Sequence, residues 1–163
     1  MQDMLVKLYD LPDLTPLNQR MAEEEIFVRV ALAAEKSIVV EWVRERFDDG
    51  WASEAEVCFS YQPVSCFIAI HKGQIVGFAA YDAAYRNFFG PTGVEKSFRG
   101  KGIGKILLLR CLIAMREQGY AYAIIGGIGP ARFYEKAVGA SLIEGSNPGI
   151  YQHLLSDIPD EAH

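Results

Sequence analysis

The sequence contains few cysteines and no long apolar run, and each shortage excludes a class of protein. Cys58, Cys66 and Cys111 are odd in number and lack the CxxC spacing of zinc or redox sites. We therefore expect reduced, buried thiols in a cytoplasmic protein rather than a disulfide framework. No run of about 18 apolar residues occurs, so we expect no transmembrane helix. Residues 1–10 contain Asp3 and no long apolar core, so we also expect no signal peptide.

The sequence also has few histidines, and its net charge is negative. The three histidines, His71, His153 and His163, show no metal-ligand spacing to a partner, so we expect no metal site. The formal net charge of −5 argues against a nucleic-acid-binding surface, which is normally basic. The remaining composition is that of an ordinary globular protein, with 50% hydrophobic and 23% charged residues.

The length of 163 residues predicts a single domain that spans 1–163. Within it we expect an N-terminal strand and helix extension over 1–25, a core over 26–155 and a frayed acidic tail over 156–163. The extension is expected to pack on the core or on a second subunit of a homodimer. The chain shows no internal repeat and no linker that would divide it.

Apolar patterning divides the chain into strands and helices. It predicts a helix that begins at Thr15 and further helices over 35–47, 102–118 and 130–137. Pro91 cannot donate to a sheet ladder, so we expect a bulge or an edge position there. The helix over 102–118 joins two strands, which predicts a parallel, right-handed crossover. Predicted strands cover 4–9, 26–30, 57–61, 66–70, 75–81, 88–94, 120–125, 141–144 and 150–155.

A glycine-rich turn that begins at Arg99, Arg-Gly-Lys-Gly-Ile-Gly-Lys, leads directly into an apolar helix. The start of a helix offers unpaired N–H groups and the positive end of its dipole, and glycine lets a ligand approach them closely. The stretch therefore predicts a phosphate-binding loop or, alternatively, a structural turn. It is not a Walker A loop, because Gly102 stands where Ser or Thr should bind magnesium. Its glycine spacing also differs from the GxGxxG dinucleotide fingerprint.

Two motifs stand in a characteristic order along the chain. The first is Arg99-x-x-Gly102-x-Gly104, and the second is the segment FYEKAVGA that begins at Phe133. In this order and spacing, the two motifs resemble those of the GNAT (GCN5-related) superfamily of acyl-CoA-dependent N-acyltransferases. The resemblance covers residues 26–155. The resemblance implies an α/β (α+β) fold: a mixed, mostly antiparallel sheet of about six or seven strands flanked by helices, with a splayed parallel pair at the cofactor site.

The same resemblance implies an activity. The protein would transfer an acetyl group from acetyl-CoA to a primary amine of a small molecule or a protein, by direct attack and without a metal. Its partners would be an acyl-CoA and the amine acceptor, with no nucleic acid and no membrane. Two alternatives remain open: a non-catalytic acyl-CoA-binding or regulatory module, and a structural domain whose glycine turn serves packing alone.

Site residues can be carried over from the family onto matching positions. The Val94 main chain would pair with the pantetheine arm, and its N–H would stabilise the oxyanion. Ile125 and Gly126 would end the neighbouring, splayed strand. Tyr134 would be the general acid, whereas Gly127 stands where many members carry asparagine. The coenzyme A pyrophosphate would be held by the backbone amides of Arg99, Gly100, Lys101, Gly102, Ile103, Gly104 and Lys105.

The base and the acceptor pocket carry no comparable motif. Glu95 follows Val94 and is the candidate base, the alternative being a solvated loop charge. For Tyr134 itself the alternative is a core aromatic beside Phe133. Fold and cofactor motif do not specify the acceptor. Candidate residues of the acceptor pocket are Trp51, Glu54, Tyr81 and Asp82.

Overall fold

Residues 1–156, which the computed structural model describes, form a mixed sheet with helices packed on both faces. The strands are β1 (Met4–Lys7), β2 (Ile26–Val30), β3 (Cys66–His71), β4 (Gln74–Tyr81), β5 (Phe88–Val94), β6 (Tyr122–Ile125) and β7 (Ser141–Leu142). The helices are α1 (Thr15–Glu23), α2 (Lys36–Arg46), α3 (Asp49–Val57), α4 (Ile103–Glu117) and α5 (Ala131–Val138). None of the described helices is long and apolar enough to span a bilayer.

The order of strands across the sheet is β2-β3-β4-β5-β6-β1-β7. Among the described strands, only β5 and β6 are parallel neighbours, and the other pairs are antiparallel. A parallel pair needs a long crossover, which α4 supplies. The predicted α/β (α+β) class, with a mostly antiparallel sheet and one parallel pair, is confirmed.

Helix α4 is buried around most of its circumference. Its buried residues include Ile106, Leu107 and Leu108, which pack with Met21 of α1 and Ala137 of α5. Each buried leucine or isoleucine contributes roughly 1.5–3 kcal/mol. This packing fixes the N-terminal end of α4 relative to the sheet, and that end carries the glycine-rich loop.

The opposite face of the sheet is covered by α2 and α3. Val43 of α2 and Ala55 of α3 are fully buried against Phe78 of β4. Helix α3 occupies part of a segment where the sequence predicted a strand over 57–61. Asp48 caps α3 by accepting a hydrogen bond from the Trp51 N–H at 2.8 Å, and a short 3-10 turn over Cys58–Ser60 continues the helix.

The N-terminal segment, expected to contain a strand and a helix, forms β1 and α1, and β1 lies inside the sheet. Strand β1 fills the position between β6 and β7, where Met4 lies opposite Ile125 on one side and Leu142 on the other. The side chain of Met4 is fully buried. Helix α1 then crosses to the β2 edge and packs near α4.

The predicted strand over 150–155 is wrong. A 3-10 turn covers Gly149–Tyr151, and residues 152–156 are irregular. Gly149 and His153 have φ values of +59° and +63°, which interrupt the extended backbone that a strand needs. Of the predicted tail over 156–163, the residues after 156 lie outside the described part of the chain.

Candidate active site

Strands β5 and β6 open into a gap. They are paired only through Phe88 with Ile124 and Phe89 with Ile125, and β5 then continues to Val94 without β6 beside it. The pairing of β5 with β4 also shifts by one residue between Ala79 and Tyr81, as a bulge requires. The irregularity expected at Pro91 is therefore present where the two strands separate.

The main chain of Val94 faces this gap. Val94 lies opposite Gly77, and the Glu95 N–H donates to the Val76 carbonyl at 2.8 Å. This is the pattern of a non-hydrogen-bonded antiparallel pair, in which both main-chain groups of Val94 point away from β4. The Val94 carbonyl accepts from Arg99 Nε at 3.2 Å, which ties the strand end to the glycine-rich loop.

The glycine-rich loop forms the N-terminal end of α4. Gly100 and Gly102 have φ values of +81° and +88°, a backbone region that favours glycine. The first helical hydrogen bond runs from the Ile106 N–H to the Gly102 carbonyl at 3.1 Å. The N–H groups of residues 103–105 therefore lack an acceptor within the helix, and the positive end of the α4 dipole adds to them. The arrangement is suited to an anion.

A cavity of about 450 Å³ joins these features. Its wall runs from Gly100 to Lys105 at the start of α4, along Thr92 to Val94 of β5, and on to α5 and the α2–α3 junction. Arg99 and Lys105 are the charged side chains on this wall among the described residues, and both are cationic. One end of the cavity is thus basic and rich in N–H groups, whereas the other end is apolar.

Tyr134 lies at the point where the cavity passes β5. Its side chain is 2% exposed and makes edge-to-face contacts with the rings of Phe89 and Phe133 at 6.4 and 5.1 Å. Burial raises the pKa of Tyr134 to about 12. Its hydroxyl therefore keeps its proton at neutral pH. Within residues 1–156 this hydroxyl has no hydrogen-bond partner, so it is available to a ligand.

The acceptor end is formed by aromatic rings. Phe47 and Trp51 lie with their ring centroids 4.9 Å apart at an angle of 31°, and both line the cavity. The Phe47 ring covers Gly93 so closely that a Cβ there would overlap it. Phe47 was not predicted from the sequence, although a glycine in mid-strand is a signal that another group approaches the backbone.

Three of the predicted residues lie away from the cavity on the acceptor side. The Glu95 carboxylate accepts a hydrogen bond from Arg46 Nε and is ion-paired there. Tyr81 is buried, and its hydroxyl accepts from Gln118 at the far end of α4. Asp82 accepts from the Asn87 N–H at 2.7 Å and so closes the β4–β5 turn. Glu54 does not line the cavity either; it lies one helical turn after Trp51 on α3.

The end of β6 is packed and lies outside the cavity wall. Ile125 is fully buried between Phe89 and Met4. A Cβ at Gly126 would lie 2.8 Å from the Phe88 ring, so glycine is required for this packing. At Gly127, where the family often has asparagine, the backbone N–H donates to Asp3 Oδ1 at 3.1 Å. A carboxylate from the N-terminal segment therefore satisfies this amide.

Comparison with known proteins places this site in a family. The acetyltransferase (GNAT) family model matches residues 23–140. N-alpha-acetyltransferase MAK3 of Arabidopsis thaliana is 33% identical over 78 residues, and the match spans 41% of this chain and only 41% of the plant protein.

Two solved structures share the fold at low identity. One is the GCN5-related glucosamine N-acetyltransferase region of a fungal multi-domain β-N-acetylglucosaminidase, with a TM-score of 0.70, 14% identity, and coverage of 87% of this chain and 19% of that chain. The other is YhbS of Escherichia coli, a GNAT family N-acetyltransferase in complex with CoA, with a TM-score of 0.54, 20% identity, and coverage of 68% and 67%.

The family match covers the loop at Gly100–Lys105, the gap after Phe89 and the Tyr134 helix, which are the elements that build the cavity. The fold, the two motifs and the family model agree. The chain therefore belongs to the GNAT family of acetyltransferases.

Proposed function

We propose that the protein transfers an acetyl group from acetyl-CoA to a primary amine, which attacks the thioester directly. The observation that carries this proposal is the single cavity that joins the N–H groups after Gly100, the Val94 main chain and the Tyr134 hydroxyl. An anion site, an extended-strand site and a proton donor in one continuous space are what a long acyl-CoA and its reacting carbon need.

The donor end fits the diphosphate of coenzyme A. The backbone N–H groups over 100–105 would hold its oxygens, and Arg99 and Lys105 would add charge at the cavity wall. A hydrogen bond to a charged group contributes roughly 1.5–3 kcal/mol. A few such bonds are enough to bind a polyanion to a chain whose net charge is −5. The Val94 main chain, facing the gap, would pair with the pantetheine arm.

The reaction needs a stabilised oxyanion and a leaving thiolate that gains a proton. The Val94 N–H is the donor we assign to the oxyanion, a contribution on the order of 3 kcal/mol. Tyr134 is the acid that we assign to the thiolate. Because its pKa is about 12, against about 8.5 for a thiol, complete proton transfer is uphill. Tyr134 would therefore act mainly by donating a hydrogen bond to the developing thiolate.

Amines with a low pKa fit this cavity best. None of the described residues that line the cavity carries a carboxylate that could remove a proton. An α-amine of pKa about 8 is roughly one-tenth neutral at pH 7, whereas less than about one in a thousand lysine amines are neutral. The name of the plant relative, an N-alpha-acetyltransferase, supports the same class. We therefore propose the α-amine of a peptide or small molecule as the first acceptor to test.

The absence of a carboxylate from the described residues of the cavity wall also favours a second function, a non-catalytic acyl-CoA-binding module. Such a module would bind CoA without turnover. An assay of thiol release from acetyl-CoA distinguishes the two functions. The acceptors to test are peptide α-amines, lysine ε-amines and arylalkylamines. The proposal expects saturable, amine-dependent release. CoA binding without release from any amine would favour the module instead.

The compartment is part of the same proposal. Cys58, Cys66 and Cys111 are all unpaired and buried, a state that suits a reducing environment such as the cytoplasm. Acetyl-CoA dependence and reduced thiols together support a cytoplasmic enzyme.

A further inference from the structure

Helix α1 contacts the anion-binding loop at two charged points. Arg20 Nη2 donates a hydrogen bond to the Gly100 carbonyl at 2.9 Å, and Lys101 Nζ lies 2.9 Å from Glu24 Oε2. The helix also lies against the loop backbone, since a Cβ at Gly102 would be 3.3 Å from both Leu17 Cδ2 and Arg20 Nη1. The N-terminal segment and the candidate cofactor site are therefore one structural unit.

The Arg20 contact decides which backbone groups an anion meets. A carbonyl oxygen is the negative end of its peptide dipole, and it would repel a diphosphate that approaches the loop. Arg20 binds the Gly100 carbonyl on the α1 side. Gly102, Ile103 and Gly104 line the cavity, and a fixed Gly100 peptide restricts the rotation of the backbone that carries their N–H groups.

The Glu24 contact has a complementary effect. It holds the Lys101 ammonium against α1, and Lys101 accordingly does not line the cavity, whereas Arg99 and Lys105 do. The same hydrogen bond lowers the pKa of Glu24. The loop is thus held at two consecutive residues, Gly100 by Arg20 of α1 and Lys101 by Glu24, which directly follows the last residue of α1.

These contacts are not what keeps α1 in place. Met21 is 3% exposed within the main core, and Leu17 packs against it. Arg20 is exposed, and an exposed polar contact contributes only about 0–1 kcal/mol to folding. Removing the guanidinium should therefore change the order of the loop and leave the fold intact.

We propose that Arg20 is a positioning residue for the cofactor site: it holds the Gly100 carbonyl so that the loop N–H groups are preorganised for the diphosphate of an acyl-CoA. The inference rests on the proposed function, since it presumes that coenzyme A binds at this loop. Preorganisation raises affinity by lowering the ordering cost of binding.

Calorimetric titration with coenzyme A tests the role of Arg20. Arg20→Met should raise the Kd for CoA roughly fivefold to tenfold, the loss of one partly screened charged contact. Arg20→Lys, which keeps a donor, should restore most of the affinity. The matched control is Arg116→Met, which removes the same charge from an exposed position in the last turn of α4 and should leave the Kd within about twofold. The melting temperature of the ligand-free protein should be the same for both variants.

Each other outcome overturns the inference. A Kd for Arg20→Met within twofold of wild type would show that the loop needs no such support. An equal loss in Arg116→Met would show that net charge matters and position does not. If the wild-type protein fails to bind CoA at millimolar concentration, the proposed function falls and the inference falls with it, whereas a normal wild-type Kd isolates the test to Arg20.

Discussion

The two ends of the cavity are formed by different parts of the protein, one by backbone groups and the other by side chains. The donor end consists of backbone N–H groups from one stretch, residues 100–105, at the start of a long buried helix. The acceptor end consists of side chains, Phe47 and Trp51 from the α2–α3 junction and Phe133 from α5, more than half the chain apart. One end depends on backbone conformation, and the other depends on how distant elements pack.

This difference determines what substitutions can do. A backbone site is changed only by residues that alter the path of the chain, so it tolerates many side chains and few conformations. A site made of side chains changes with each substitution on its wall, and families with one fold can vary it freely. We expect the donor end to define the cofactor and the acceptor end to define the amine.

The largest expected effect is at Gly102. Gly102→Val places a β-branched residue at φ +88° and brings its Cβ within 3.3 Å of Leu17 and Arg20. The loop must then move, and the loss of one or two charged hydrogen bonds should raise the Kd for CoA roughly a hundredfold. Titration calorimetry with CoA measures this change in Kd.

The control for Gly102 is Gly119→Val at the other end of α4. Gly119 has φ +100° and no atom within 4 Å of a Cβ, so the substitution causes the same kind of strain without touching the loop. It should destabilise the fold and leave the Kd for CoA unchanged. Equal losses of CoA affinity in both variants would mean that the backbone at Gly102 has no special role at the donor end.

The next effect concerns the middle of the cavity. Tyr134→Phe should lower kcat roughly tenfold to a hundredfold, and the Kd for CoA should stay within about twofold. The effect is at the low end for an acid because the pKa of about 12 permits only hydrogen-bond donation. Thiol release at saturating acetyl-CoA measures it. Unchanged turnover would assign Tyr134 to the core alone.

Tyr81→Phe is the matched control for this variant. Burial raises the pKa of Tyr81 to about 12 as well, but its hydroxyl bonds Gln118 outside the cavity. Turnover should be unaffected, and only stability should fall. The pH profile adds a second check: since Tyr134 keeps its proton up to about pH 12, kcat should show no alkaline loss below about pH 10.

A smaller effect tests the acceptor end. Phe47→Leu removes the ring that stacks on Trp51 and should raise the KM for the amine roughly threefold to tenfold. The Kd for CoA should not change. Phe27→Leu, at a 71% exposed position on the β2 edge, is the control and should leave both constants unchanged. If Phe47→Leu instead weakened the binding of CoA, the donor and acceptor ends of the cavity would not act independently.

The smallest effect is expected at Glu95. Glu95→Gln should lower turnover by less than about twofold, because the carboxylate is ion-paired with Arg46 and lies off the cavity wall. Steady-state rates with the best amine measure it. A loss of a hundredfold would restore Glu95 as the general base and would show that the ion pair opens during the reaction.

The sequence predicts the donor end of the cavity better than it predicts the acceptor end. The loop at Gly102, the crossover helix and the bulge near Pro91 are local patterns, and each was predicted from a short stretch of residues. Tyr134 came from a motif, and the cavity places it beside the loop. Its chemical role remains a prediction.

What could not be predicted depends on contacts between distant segments. Arg20 and Gly100 are 80 residues apart, and nothing in either stretch indicates that they meet. The place of β1 between β6 and β7 is a choice of topology that strand propensity does not contain. The apolar run over 57–61 was mistaken for a strand because it ends a helix whose cap, Asp48, lies nine residues earlier.

The central claim is that residues 100–105 bind coenzyme A through their N–H groups, and amide NMR tests it most directly. Addition of CoA to ¹⁵N-labelled protein should shift the amide signals of Gly100–Lys105 and Val94 the most. The amides of Gln118 and Gly119, at the opposite end of α4 from the loop, should remain unchanged. Binding that leaves the 100–105 signals in place, with the largest shifts elsewhere, would contradict the account.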